Sequence, residues 1–257
     1  MVPLRDIIVV VLSVYYSVNI CFGYHSCKDL KQYNTNLQSG EYLMYNGKGQ
    51  TYKAFCEFHG TYGYMFISKN AGVEIKLDLI NPDTHEVLVR HARSNGKQYD
   101  TNMRQISSKY SVPLSIQYSK YVNYARPLNS NTMGPFLYLG FLPRSIANQK
   151  SKQGYSANGK DFTFTNCDRN PNSYLAFFFN PSNGNPTNYH LRCCYSKLMQ
   201  DWINEGQTAP NKRESHLPQS YFFQFEMHMG GCGGYAINGY NKLSNICGAA
   251  LGMRFSL

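Results

Sequence analysis

Leu251-Gly252-Met253-Arg254-Phe255-Ser256-Leu257 places an apolar residue at every second position, with a glycine, an arginine and a serine between them. A period of two marks a half-buried β-strand, and it recurs along the chain. Phe223, Phe225, Met227 and Met229 alternate with Gln224, Glu226 and His228, and Phe162 and Phe164 alternate with Thr163 and Thr165. Val73, Ile75, Leu77 and Leu79 alternate with Glu74, Lys76 and Asp78. The turn residues Asn81-Pro82-Asp83-Thr84 then lead into Val87-Leu88-Val89-Arg90, so these two runs predict a hairpin. Aromatics at 15%, with 21 Gly and 11 Pro, also favour strands and turns. The expected fold is mainly β, with antiparallel sheets in a sandwich-like arrangement stapled by disulfides. One short helix is expected near 196–205, where Ser196 caps a face of Leu198, Met199, Trp202 and Ile203, and Gly206 ends it. The polar stretches 149–160 and 207–220 read as exposed loops.

The chain opens with Arg5, then Ile7-Ile8-Val9-Val10-Val11-Leu12, and reaches Ile20-Cys21-Phe22-Gly23. A charged start, a short apolar run broken by Ser13, Ser17 and Asn19, and a small terminal residue predict a secretory signal peptide over 1–23. Residues 24–257 then form one secreted, extracellular domain, with no later stretch long enough to span a membrane. Of the 8 cysteines, Cys21 leaves with the signal, so 8 − 1 leaves an odd number. In an oxidising compartment these read as disulfides, with one thiol left free or available to another chain for a covalent dimer. The two Asn-x-Ser/Thr sites, at Asn180 and Asn185, carry Pro in the middle position, so no N-linked glycan is expected.

No constellation of catalytic residues emerges. His85-Glu86 opens like a zinc-protease motif, but Val89 stands where the second His belongs, on a segment that alternates as a strand. Gly154-Tyr155-Ser156-Ala157-Asn158 lacks the second glycine of a nucleophile elbow. Asp168-Arg169-Asn170-Pro171-Asn172 lacks the glycine and the distant glutamate of a calcium loop. The expectation is a non-catalytic protein with no metal and no cofactor. The competing reading is a secreted hydrolase whose residues meet only in the fold.

The two ends carry a family resemblance. Ser26-Cys27-Lys28-Asp29-Leu30, then Ser39-Gly40-Glu41-Tyr42, then Ala54-Phe55-Cys56-Glu57-Phe58 resembles the opening of fibrinogen-like and GON domains. Gly231-Cys232-Gly233-Gly234-Tyr235, Cys247 and the terminal strand resemble the end of a GON domain, a module that closes some secreted metalloproteases bearing thrombospondin repeats. A fibrinogen-like domain would be richer in tryptophan, and Trp202 stands alone, so the GON-like reading is preferred. No protease domain accompanies the module, so the family's proteolysis does not transfer. The resemblance implies Cys27 paired with Cys56 and Cys232 with Cys247. Cys167, Cys193 and Cys194 then share one bond in any of three ways.

The 25 Lys and Arg outnumber the 15 Asp and Glu, a net charge of +10. For an exported protein the polyanions to hand are sulfated glycans and acidic matrix proteins rather than nucleic acid. Arg90, Arg93 and Lys97 form one basic cluster. Tyr118, Lys120, Tyr121, Tyr124 and Arg126 interleave aromatic rings with cations, which suits sugar stacking and sulfate pairing. The functional expectation is an extracellular binding or matrix module that recognises anionic glycans or matrix proteins.

Overall fold

A computed structural model describes residues 23–106, 114–119, 136–140, 153–164, 175–180, 216–229, 233–236 and 246–257. Helix α1 (Cys27–Tyr33) is capped by Ser26, whose hydroxyl accepts the Asp29 N–H at 3.1 Å. Strands β1 (Gly40–Tyr45), β2 (Thr51–His59) and β3 (Tyr62–Ile67) follow as a meander, then the single turn α2 (Leu77–Ile80). Next come β4 (Glu86–Arg93), β5 (Gln98–Gln105), β6 (Ser115–Ser119), β7 (Phe136–Gly140), β8 (Gln153–Ala157), β9 (Lys160–Phe164) and β10 (Leu175–Asn180). β11 (Gln224–Met229), β12 (Gly233–Ala236) and β13 (Ile246–Ser256) complete the described elements. They build an eight-stranded sheet ordered β1-β2-β3-β13-β4-β5-β8-β9 and a five-stranded sheet ordered β12-β11-β10-β7-β6. All the pairings are antiparallel.

The C-terminal alternation is a strand as expected, and it is a central one. β13 pairs with β3 along Gly252–Ser256 and with β4 along Ile246–Met253. Its odd-numbered side chains Leu251, Met253 and Phe255 point to the inner face. There they join Val87, Val89 and Met103 and meet Leu137, Phe177 and Phe179 of the second sheet in one core. The Tyr155 and Phe177 rings meet across the gap at 5.5 Å, edge to face. Burying each such side chain contributes roughly 2 kcal/mol.

Asn46 organises the β1–β2 turn. Its side-chain oxygen accepts the Lys48 and Gln50 N–H groups, while its amide donates to Glu74 O and Gln50 Oε1. Cys27 and Cys56 are bonded, tying α1 to β2 across a separation of 29 residues. A loop of that length is worth about 3–4 kcal/mol on the chain-entropy estimate.

Three readings of the sequence need correction. Residues 73–79 do not form a strand: 73–76 are irregular and Leu77–Ile80 make one helical turn. Pro82 disfavours the right-handed helical region for Asn81, which takes the left-handed conformation that asparagine tolerates, φ 47°, and ends that turn. β4 accordingly pairs with β5 and β13, and no hairpin joins it to residues 73–79. The stretch 149–160 contains strand β8, and Asn158 and Gly159, both at positive φ, turn it tightly into β9. Within 207–220, Leu217 is buried. The helix expected at 196–205 lies outside the described residues.

Candidate functional site

The even-numbered side chains of β4, β5 and β13 point away from the inner core, and this outer face divides into two halves. Over one half, residues 216–223 form a strap. Leu217, Tyr221 and Phe222 cover Phe55, Phe66, Leu88 and Ala250 in a second apolar cluster. The strap is tied down by the Gln98 side-chain amide, which donates to Leu217 O and accepts the Leu217 N–H. Lys69 N–H donates to Ser220 O, and the Tyr221 hydroxyl donates to Glu41. Burial pushes the Tyr221 phenol pKa up, and the Glu41 carboxylate beside it adds to the shift. Glu41 is held below the usual carboxylate range, chiefly by its hydrogen bond from Lys53. Phe223 then bridges to Ala249, where a Cβ on Gly248 would come within 2.8 Å of Phe223 O, and the chain leaves for the second sheet.

The other half carries a polar row set by strand register. Tyr64 lies opposite Arg254, Glu86 opposite Arg104, Arg104 opposite Ser156, and Ser156 opposite Asp161. Met253 pairs with Val87, which puts Arg254 beside Glu86. The Arg104 guanidinium donates from Nε and Nη2 to the same oxygen, Glu86 Oε2, while its side chain stays 66% exposed. Arg254 Nη1 donates to Asp83 at 2.8 Å. Burial alone would raise the Asp83 carboxyl, but the His85 backbone N–H and Arg254 overcome it and hold the group below its ordinary value. At the end of the row, His59 and Tyr62 pack at 5.4 Å between ring centres, and the Arg254 guanidinium lies 5.0 Å over the Tyr62 ring.

A cleft of about 530 Å³ opens between β4, β5 and the β8–β9 turn, lined by Glu86, Asn102, Arg104, Gln105, Ser156, Asn158 and Gly159. Four of its polar groups form no hydrogen bond among the described residues: Arg104 Nη1, Glu86 Oε1, the Asn102 side-chain amide and the Ser156 hydroxyl. Glu86 starts a strand, which removes the helical context a zinc-protease motif needs, and Ser156 sits on a hairpin strand rather than at a nucleophile elbow.

Arg90 requires a correction, because it is not a surface cation. Its side chain is fully buried; Nη1 and Nη2 donate to Glu57, and Nε and Nη2 donate to Asp100. Desolvation alone would lower its pKa, but the two carboxylates overcome that and raise it. Glu57 also meets His59 Nε2 at 2.6 Å. A guanidinium satisfied by two carboxylates and closed from water offers nothing to an anionic ligand. Arg93 and Lys97 lie at the far end of the β4–β5 hairpin from Arg104, with Arg93 stacked 3.9 Å over Tyr99 and Lys97 exposed. The Tyr118 backbone pairs with Leu137 in the second sheet. Lys120, Tyr121, Tyr124 and Arg126 lie outside the described residues, as do Cys167, Cys193, Cys194 and Cys232. The Cys232–Cys247 pairing therefore falls outside them as well. Arg104, Asn102 and Arg254 were not singled out from the sequence, and Glu86 was weighed only as part of a zinc-protease motif. The one signal available was that Arg254 occupies a polar position in an otherwise apolar alternation. No family model, curated protein or solved structure matches this chain.

Proposed function

We propose that this chain is a secreted, non-catalytic binding module that holds a glycan, through its hydroxyl groups, in the cleft over β4, β5 and β8. One observation carries the reading. Arg104 and Glu86 neutralise each other yet keep a donor, Nη1, and an acceptor, Oε1, that no other described residue takes up at the cleft wall. Each sugar hydroxyl both donates and accepts, so a matched donor–acceptor pair flanked by the Asn102 amide and the Ser156 hydroxyl suits it. A sulfate would meet an arginine whose charge is already compensated, so the paired charges favour uncharged sugar hydroxyls at this cleft. The Cys27–Cys56 bond supports an oxidising, extracellular setting. That bond and the start of β1 at Gly40 also support the GON-like reading of the opening segment.

The net charge of +10 favours a second reading, binding of a sulfated polymer through the basic surface. Salt separates the two. On an array of neutral and sulfated glycans, the cleft reading expects neutral ligands whose binding is unchanged from low to high salt, because no net charge is screened. Asn102→Ala should weaken that binding about tenfold, or about 1.4 kcal/mol, while changing stability by no more than about 0.5 kcal/mol, since Asn102 is exposed. Binding confined to sulfated glycans and lost at high salt would overturn the cleft reading in favour of the basic surface.

A further inference from the structure

Taking the cleft as the glycan site just proposed, we infer that its ligand is a linear neutral oligosaccharide lying across the strands, from the Asn102–Ser156 cleft to an aromatic subsite at Tyr62 and His59. The polar row is continuous over that path. From β5 it passes Arg104, Glu86 and Arg254, whose guanidinium reaches diagonally past its register partner Tyr64 to the ring pair of Tyr62 and His59 on the β2–β3 hairpin. The strap covers Leu88, Phe66 and Ala250, and Tyr64, the residue opposite Arg254, is buried with them; beyond it the Arg104 side chain is 66% exposed, Tyr62 is partly exposed, and the side chains of His59 and Arg254 are 25% and 28% exposed.

Each subsite has the chemistry its place requires. A sugar ring presents hydroxyls at its rim and C–H bonds on its face. The rim matches the four polar groups of the cleft, and the C–H face matches the exposed part of the Tyr62 ring left between His59 and Arg254. Arg254 joins the two regions. Its Nη1 is held by Asp83 and its Cζ lies 5.0 Å over the Tyr62 ring, while its remaining N–H groups make no hydrogen bond among the described residues. β3 and β5 are separated by β13 and β4, three strand spacings or about 14 Å. A monosaccharide cannot reach both ends of such a row, and a tri- or tetrasaccharide can.

The charge arrangement narrows the ligand further. Arg104 is matched by Glu86 and Arg254 by Asp83, so the row carries no excess positive charge for a polyanion to neutralise. Uncharged hexose polymers fit this balance.

The test is calorimetric titration of the oxidised protein with cello-, malto-, manno- and chito-oligosaccharide ladders, from disaccharide to hexasaccharide. One ladder should tighten about tenfold, or about 1.4 kcal/mol, from disaccharide to tetrasaccharide and then level off. Tyr62→Ala should remove that gain and leave disaccharide affinity unchanged, while Tyr62→Phe, which retains the ring, should keep the gain. Thermal unfolding of both variants reports whether the hairpin persists. Arg104→Ala should weaken disaccharide and tetrasaccharide alike. Equal affinity along the ladder, or a length gain that survives Tyr62→Ala, would overturn the cross-strand reading while leaving the cleft intact. No binding to any ladder, or no effect of Arg104→Ala, would overturn the cleft itself and the inference with it.

Discussion

The covered and open halves of the outer face are built from the same strands with the same alternation, yet one is core and the other is a site. Leu88 and Glu86 stand two residues apart on β4 and point the same way. Leu88 lies under the strap, and Glu86 lines the cleft. On β3 the same face holds Phe66 and Tyr64, both buried, and then Tyr62, which is partly exposed. Strand periodicity separates two faces but does not say how far a crossing segment will reach over one of them. Here the strap's apolar cluster takes in Leu88 and Tyr64 but not Arg254, Glu86 or Arg104. Arg90 sits at the boundary between the halves, where an alternating polar position became a buried charge because Glu57 and Asp100 converge on it.

The largest expected effect breaks the comparison at that boundary. Arg90→Ala would leave the fully buried Glu57 without its guanidinium, and loss of one partner of a buried ion pair costs about 3–5 kcal/mol. Urea unfolding measures the loss. A cost below about 1 kcal/mol would show that water reaches the pair and that the boundary is not closed.

Acid should act next, through the other face of the same strand. His91 is fully buried; desolvation, assisted by the nearby charge of Arg93, pushes its pKa down to about 3. Because the folded value is lowered, the unfolded chain takes up the proton first. His91 therefore contributes its full stability above about pH 6.5, and this is lost as pH falls from there toward 3. The slope of about 1.4 kcal/mol per pH unit predicts a loss of about 2 kcal/mol by pH 5. Glu41, whose folded pKa is also lowered, adds to the loss at still lower pH. Substituting Gln for His91 should flatten the profile of stability between pH 7 and 5. An unchanged slope would place the titration elsewhere.

The smallest effect sharpens the comparison. Tyr221→Phe removes the strap's hydrogen bond to Glu41 but keeps its ring edge-on to Phe55 at 6.0 Å. Glu41 is partly exposed, so the expected cost is about 1 kcal/mol. Hydrogen exchange should show the amides of Ser220 and Tyr221 opening earlier while the slowest amides of β13 stay protected. Equal acceleration in β13 would mean that the strap and the sheet unfold as one unit.

The strands that could be read directly were those whose sequence alternates apolar with polar residues. Leu251–Leu257 and Phe223–Met229 place polar residues between apolar ones, and both lie in paired strands. Val73–Leu79 shows the same alternation and forms no strand, because Pro82 and the left-handed Asn81 end a helical turn there and Ile75 and Ile80 bury themselves without strand pairing. β8 was hidden in a stretch rich in Lys, Gln and Asn. Only Tyr155 and Ala157, inner-face residues paired against Gln105 and Met103, mark it as a strand.

The cleft was less legible than the fold. Arg104 and Glu86 are 18 residues apart in the chain and meet only because β4 and β5 pair in that register. Ser156 joins them only because β8 adds to β5.

Some properties follow from the residues alone because their causes are local. Period-two patterning makes the chain mainly β, Ser26 is a short hydroxyl side chain placed to cap a helix, and Asn158-Gly159 tolerates the positive φ of a tight turn. Which arginine is buried and which faces the cleft, and which half of one sheet face becomes core, were decided by tertiary structure. Both outcomes depend on how far a carboxylate or a strap lies from the residue in space. That distance is set by strand order and register, with β13, the last described strand, inserted between β3 and β4.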